Sequence, residues 1–376
     1  MSKQKKSHGF YSGLVVGILA AIAVVGTANM AQAGVSPAVG KALKEAYAHA
    51  KRRNASGADA AIARARAAAK TSEERRTISK YQLAVYSETG RLGKAAGMLE
   101  KQGANALTLA KYYFSARNYN KAIHHGKRAG GKGQAIAAQA YMRLGNYRAA
   151  KAIYERLLRS HPRNSAYIRN LANTQYKLND REGYMKTLTK LIVVSPNSSQ
   201  NWRAVLNNLQ KEAMPEPAKM AIYILRLKTK SFDKKDIVIA SKTGVMVSTP
   251  GFSKQFMSMQ GAPSDARGQR LKKRIDRDAN SAVVRASKLT KGTSLADKLT
   301  AGKIYTSVGK YPQAISALSK AATSKNYADE AYLYLGLTQV LMKQPKKAKV
   351  SFAKVNPNSN FNSVAGLWKL YASTRR

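Results

Sequence analysis

A fixed step of 34 residues constrains this chain more than any other feature. Pro162 and Pro196 lie one such step of 34 apart, as do Arg143, Lys177 and Lys211, and Leu157, Leu191 and Leu225. Within 131–164 the order is Ala137-Ala138, Tyr141, Gly145-Asn146-Tyr147, Ala150, Tyr154, Leu157-Leu158 and Pro162. Small and large apolar residues recur at helical spacing in two runs, split by a Gly-Asn turn and closed by proline. That spacing predicts two antiparallel helices per unit. The small residues permit close approach, Gly145-Asn146 supplies the tight turn, and Pro162 stops the second helix. A chain built from such units packs each on its neighbours, so 376 residues need not mean two or three globular domains.

The units 165–198 and 199–232 follow in register, and Trp202 occupies an aromatic position of the pattern. Two departures stand out: Tyr184 takes the place of the packing alanine, and Met214-Pro215 replaces the glycine-containing turn. A period of 34 with this arrangement resembles the tetratricopeptide repeat. An alanine-rich helix pair is expected over 36–72, and pairs of shorter step over 76–102 and 103–130, each with alanine or tyrosine at helical spacing. Beyond 232 the pattern weakens. Residues 233–294 read as a degenerate helical unit and a mobile basic segment, an inserted hinge being one reading. The repeat resumes over 295–362, where Gly302 and Gly336, Ala314 and Ala348, and Leu318 and Phe352 are paired at the same step. A last helix, Val364–Ala372, is expected to cap the array. The resemblance thus implies an all-α, right-handed superhelical solenoid of about eight helix pairs. Its expected parts are a signal peptide over 1–33, an N-terminal array over 34–232, the degenerate stretch over 233–294, and a C-terminal repeat pair with capping helix over 295–376.

Charge bears on the partners. The chain has 66 Lys+Arg against 19 Asp+Glu, a net charge of +47, a field that attracts anions. Lys3, Lys5 and Lys6 precede an apolar run from Leu14 to Val25, followed by Ala31-Gln32-Ala33. A basic leader, an apolar core and an A-x-A site read as a secretory signal peptide. The alternative is an uncleaved anchor near the lower spanning length. The chain has no cysteine, so disulfide frameworks and thiolate metal sites are excluded. Export to the periplasm argues against nucleic acid as the physiological partner.

Catalytic signatures are absent from the sequence. His124 and His125 are adjacent and diverge by about 100° on a helix, and no H-E-x-x-H, G-x-S-x-G, P-loop or dinucleotide fingerprint occurs. The expectation is a non-enzyme without cofactor or metal. Binding is better supported. Two successive first helices carry Arg169, Asn173, Tyr176 and Lys177, and Arg203, Asn207 and Lys211, with Arg143 at the end of the row before. Spacings of four and eight keep each row near one face. Arginine offers a planar fork for carboxylate, asparagine can grip a peptide backbone, and lysine adds a point charge. These residue types are similar to the carboxylate clamps of chaperone-binding tetratricopeptide domains. The blander reading is a solvated, charged face. Tyr86, Tyr113, Tyr141 and Tyr305 read as core, and Tyr112 as groove-facing.

The opening Val35-Ser36-Pro37, the mid-chain Asn201-Trp202 and the closing Leu367-Trp368-Lys369-Leu370-Tyr371 resemble the periplasmic tetratricopeptide proteins that accompany TonB–ExbB–ExbD systems. That resemblance implies a scaffold or adaptor of an envelope complex. Its partners would carry acidic or C-terminal carboxylate segments, with TonB, ExbB and ExbD components first among them. A binder of an anionic envelope polymer or lipid surface is the alternative.

Overall fold

The computed structural model describes residues 35–209 and 213–374. The expected signal peptide and Lys211 lie outside the described residues. Among those described there are twenty-one α-helices and no strand. They pack in consecutive pairs, so the all-α reading holds, with ten pairs and a last helix rather than about eight. Two compact units divide at Leu157/Leu158, away from the boundary expected near 232.

The first unit holds α1 (Pro37–Lys51), α2 (Ala55–Ala68), α3 (Ser72–Glu88), α4 (Leu92–Lys101), α5 (Ala106–Ser115), α6 (Tyr119–Arg128), α7 (Gly130–Arg143) and most of α8 (Tyr147–Ser160). Its core is alanine-rich because its helices lie close: Ala46, Ala58, Ala61 and Ala65 are fully buried between α1 and α2. First helices also touch in succession, α1 on α3 and α5 on α7. A Cβ on Gly126 would come within 2.7 Å of the Gly133 carbonyl, so the α6–α7 junction tolerates nothing larger. Tyr112, expected in a groove, is instead buried in this core with Tyr113 beside it. The reason is packing: its ring joins Leu109, Ala122 and Ile123 in one apolar cluster, where it gains more than on a solvated face.

Two carboxylates hold this unit together. Glu74 closes a capping box with Thr71 and accepts from the Ser36 hydroxyl (2.6 Å) and backbone N–H (3.0 Å). These bonds, the Ser36 hydroxyl first, bring its pKa down to about 2. Glu100 accepts from Lys121 Nζ (2.8 Å), lies 3.0 Å from His125 Nε2, and takes the Tyr113 hydroxyl as a further donor. Lys121 chiefly, with Tyr113, brings its pKa to about 2.

The second unit continues with α9 (Ser165–Lys177), α10 (Arg181–Val194), α11 (Ser199–Leu209), α12 (Glu216–Lys228), α13 (Ile237–Met246), α14 (Pro250–Met257), α15 (Ala266–Asn280) and α16 (Ala282–Lys291). It ends with α17 (Leu295–Ser307), α18 (Tyr311–Ala321), α19 (Ala328–Leu341), α20 (Pro345–Ala353) and α21 (Asn362–Ser373). The turns inside its pairs repeat with the sequence period. Asn179 and Lys343 adopt φ of 57° and 58°, where Gly145 and Gly309 have 76° and 79°. After each, a backbone N–H reaches back to close the helix end, as in Asp180 N–H to Gln175 O (2.9 Å) and Gln344 N–H to Gln339 O (2.8 Å).

Two features depart from a linear array. First, α21 and α19 pack on α12, far back in the chain. Trp368 Nε1 donates to Ala221 O (3.2 Å), Tyr334 Oη donates to Pro217 O (3.2 Å), and the Trp202 and Tyr371 rings meet edge-on at 5.9 Å. The last helix therefore closes the unit on itself instead of capping a free end; its apolar face of Leu367, Trp368 and Tyr371 finds an apolar partner there. Second, residues 266–280 and 282–291 are helices where a mobile basic segment was expected. Ile275, Ala282 and Ala286 anchor them. Here α14 also meets α17, with Gly251 against the Ser307 backbone, while α15 packs on α14 and α16 packs on α17 through Ala282 and Ala286.

Candidate functional site

The second unit opens a cleft at the C-terminal ends of α9 and α11. Some successive first helices touch, as α17 does α19. There Thr306 and Thr338 share a hydrogen bond of 2.7 Å, and Lys303 Nζ pairs with Glu330 at 2.6 Å. Between α9 and α11 such contact is marginal. The cause is legible in one position of the repeat. Ala150, Ala218, Ala314 and Ala348 occupy it in the other units, each fully buried. In the unit of α9 and α10 it is Tyr184, half-buried. A phenol ring cannot bury in the space that a methyl group fills, and this one lines the cleft instead.

The resulting cleft measures about 890 Å³. Tyr176 and Lys177 form one wall, Tyr184, Met185 and Thr189 the floor, and Asn208 the opposite wall. Tyr176 is 56% exposed, and its ring lies 5.7 Å from that of Tyr184. Burial raises the Tyr184 phenol above its ordinary pKa, and Tyr176 adds to this. Arg181, Lys186, Asp180 and Glu182 edge the opening. Asp180 is committed to the fold: its carboxylate accepts from Gly183 N–H (2.9 Å) as the N-cap of α10. A second, more apolar trough of about 440 Å³ shares Met185 and Thr189 and runs past Leu209 to Leu367 and Leu370.

The structure separates the residues singled out from the sequence. Arg169, Asn173, Tyr176 and Lys177 are all exposed on α9, and the last two reach the cleft. Arg203 and Asn207 are exposed on α11 but belong to another network. Asn207 Oδ1 accepts from Arg226 Nη2 at 2.7 Å, and Arg226 is only 2% exposed. Burial lowers the Arg226 pKa, with Arg203 adding repulsion. Asp233 is held below its ordinary value first by the Lys235 backbone N–H and, among its smaller causes, by Arg203. The wall that α11 gives the cleft is therefore Asn208, one residue on from Asn207. Arg143 ends α7 in the first unit. Tyr184, Met185, Arg181 and Asn208 were not foreseen as lining; the replacement of alanine by Tyr184 was the signal available.

Among the described residues no cluster of His, Asp or Glu could hold a metal ion, and no helix is long and apolar enough to cross a membrane.

A tetratricopeptide repeat model matches residues 131–174. Among solved structures, a tetratricopeptide repeat protein from Parabacteroides merdae is 14% identical, covering 71% of this chain and 97% of its own, with a TM-score of 0.27. The tetratricopeptide domain of P58(IPK) is 9% identical over 89% of this chain and 78% of its own, at 0.26. A thermophilic tetratricopeptide protein of Thermus thermophilus is 16% identical over 65% and 98%, at 0.20. No curated protein matches the sequence. Repeats of this kind are protein-interaction scaffolds, and nothing in the comparisons points to catalysis.

Proposed function

We propose that this chain is a non-catalytic scaffold or adaptor of a periplasmic envelope complex, and that the cleft between α9 and α11 receives an acidic or C-terminal carboxylate segment of a partner protein. One observation carries the reading: Arg169, Asn173 and Lys177 are exposed on one helical face of α9, and Lys177 lines the cleft together with Tyr176 and Tyr184. An extended segment lying on Tyr176 and Tyr184 would meet that row with its carboxylates. The sequence resemblance to proteins accompanying TonB–ExbB–ExbD systems makes those components the first partners to try. Co-purification with ExbB and ExbD from envelope extracts tests that assignment separately from the cleft.

The cleft is tested with a fluorescent peptide ending in glutamates and a free carboxylate. Losing a charge-assisted bond to a carboxylate costs roughly 1.5–3 kcal/mol, about ten- to a hundredfold in affinity. Arg169→Ala with Lys177→Ala should weaken binding by at least that factor and leave helix content intact. Arg203→Ala should matter far less, because Arg203 lies by Arg226 and Asp233. Equal losses at Arg203 and at the α9 pair would show that diffuse charge, not the cleft, holds the peptide.

A further inference from the structure

The successive helices α15 and α16 bear a feature that the cleft does not use. Residues 265–291 carry nine Lys/Arg and three Asp. Arg267, Arg270, Arg274 and Arg277 recur at i, i+3, i+7 and i+10 on α15. At 100° per residue they fall within a sector of about 80°, along roughly 15 Å of helix. All four are exposed, and none of their guanidinium groups makes a hydrogen bond or ion pair among the described residues. The helix is seated by other positions, Gly268 and Ile275. Asp276 is drawn away by Lys272 (2.7 Å) and Lys254 (3.9 Å), while half-buried Asp278 flanks the stripe.

A structural role does not account for this stripe. Ile275 packs with Ile237 and Met257, so α15 is seated from positions that the four arginines do not occupy. Unpaired arginines close together repel, so the stripe weakens its own helix unless an anion covers it. Arginine rather than lysine suits phosphate, whose oxygens match the planar fork.

We infer that α15 and the start of α16 form a docking face for an anionic phospholipid bilayer, which brings the scaffold to a membrane surface. The choice of lipid over another polyanion rests on the next residues along the chain. Val283 and Val284 are 40% and 61% exposed. Such side chains gain by entering the headgroup boundary, whereas the backbone of a nucleic acid in water offers them nothing.

The test uses the full chain and vesicles of phosphatidylcholine with or without about 30% phosphatidylglycerol, at a salt concentration near physiological. The apolar run near the N-terminus is common to every variant, so differences between variants report the face alone. Replacing Arg267, Arg270, Arg274 and Arg277 by Ala should lower partitioning onto the anionic vesicles about a hundredfold or more. Replacing the exposed Lys320, Lys325, Lys346 and Lys347 by Ala removes the same charge and should lower it less than about fivefold. Val283→Ser with Val284→Ser should cause a loss of about five- to tenfold at unchanged charge. Circular dichroism checks that each variant stays helical. Equal losses in the arginine and lysine variants, equal binding to vesicles without phosphatidylglycerol, or tighter binding of the same face to an oligonucleotide would each overturn the proposal. The peptide assay of the cleft is untouched by these changes, so the two readings can fail separately.

Discussion

The pairs 165–209 and 295–353 share a period, a turn geometry and a unit, yet one is open and the other closed. In the closed pair, a Cβ on Gly302 would lie 2.5 Å from Leu318, and one on Gly336 2.5 Å from Phe352. Ala314 and Ala348 fill the remaining space. In the open pair Ala172 and Leu206 stand in place of the glycines, and Tyr184 in place of the alanine. The backbone plan is thus common, and the two pairs differ in the bulk of the side chains at these positions, Tyr184 and Leu206 foremost. Opening the pair loses contact between first helices, and the return of α21 onto α11 and α12, through Trp368, Trp202 and Tyr371, supports it from behind.

Transplanting the wedge gives the largest expected effect. Ala314→Tyr should destabilise the second unit by at least about 3 kcal/mol, because Ala314 is fully buried and nothing there can yield. Denaturant unfolding measures this; a loss below about 1 kcal/mol would show that the closed pair has slack and that helix separation is not set by this position.

A smaller effect separates the two rows of α9 and α11. Asn207→Ala leaves buried Arg226 without its 2.7 Å acceptor and should cost about 1.5–3 kcal/mol of stability. Asn173→Ala, on exposed α9, should cost less than about 0.5 kcal/mol. Similar stability losses would return Asn207 to the same class as Asn173.

The smallest effect contrasts the two units by pH. Glu74 and Glu100 belong to the first unit, and both have folded pKa values lowered from 4.5 to about 2. Their contribution is present above pH 4.5 and is lost as pH falls through about 2. Both tryptophans, Trp202 and Trp368, lie in the second unit. On acidification, helical circular dichroism should begin to fall before tryptophan emission shifts. Coincident transitions would show that the carboxylates do not set the acid limit of the first unit.

Much of this was written in the residues. The period, the Gly302–Leu318 and Gly336–Phe352 contacts, and the buried Tyr113 and Tyr305 follow from small and large apolar residues at helical spacing. Tyr184 was visible as an exception to the alanine rule, though the cleft it opens was not. The closure by α21 could not be read, because a local pattern says only that Leu367, Trp368 and Tyr371 need an apolar partner, not which one. The helices of α15 and α16 were hidden by their charge, since few apolar residues anchor them. Spacing put Arg203 and Asn207 on an exposed face, where they are, but could not show that buried Arg226 bonds to Asn207.

The wedge itself can be measured directly. The chain has no cysteine, so cysteines introduced at Asn173 and Arg203 can carry a single pair of spin labels across the seam between α9 and α11. Pulsed electron–electron distance measurements then compare the parent sequence with Tyr184→Ala. With the ring gone, the helices should draw together toward the close-packed spacing of about 8–10 Å between axes, and the label distribution should move to shorter distances. An unchanged distribution in the Tyr184→Ala protein would contradict the claim that this side chain holds the cleft open.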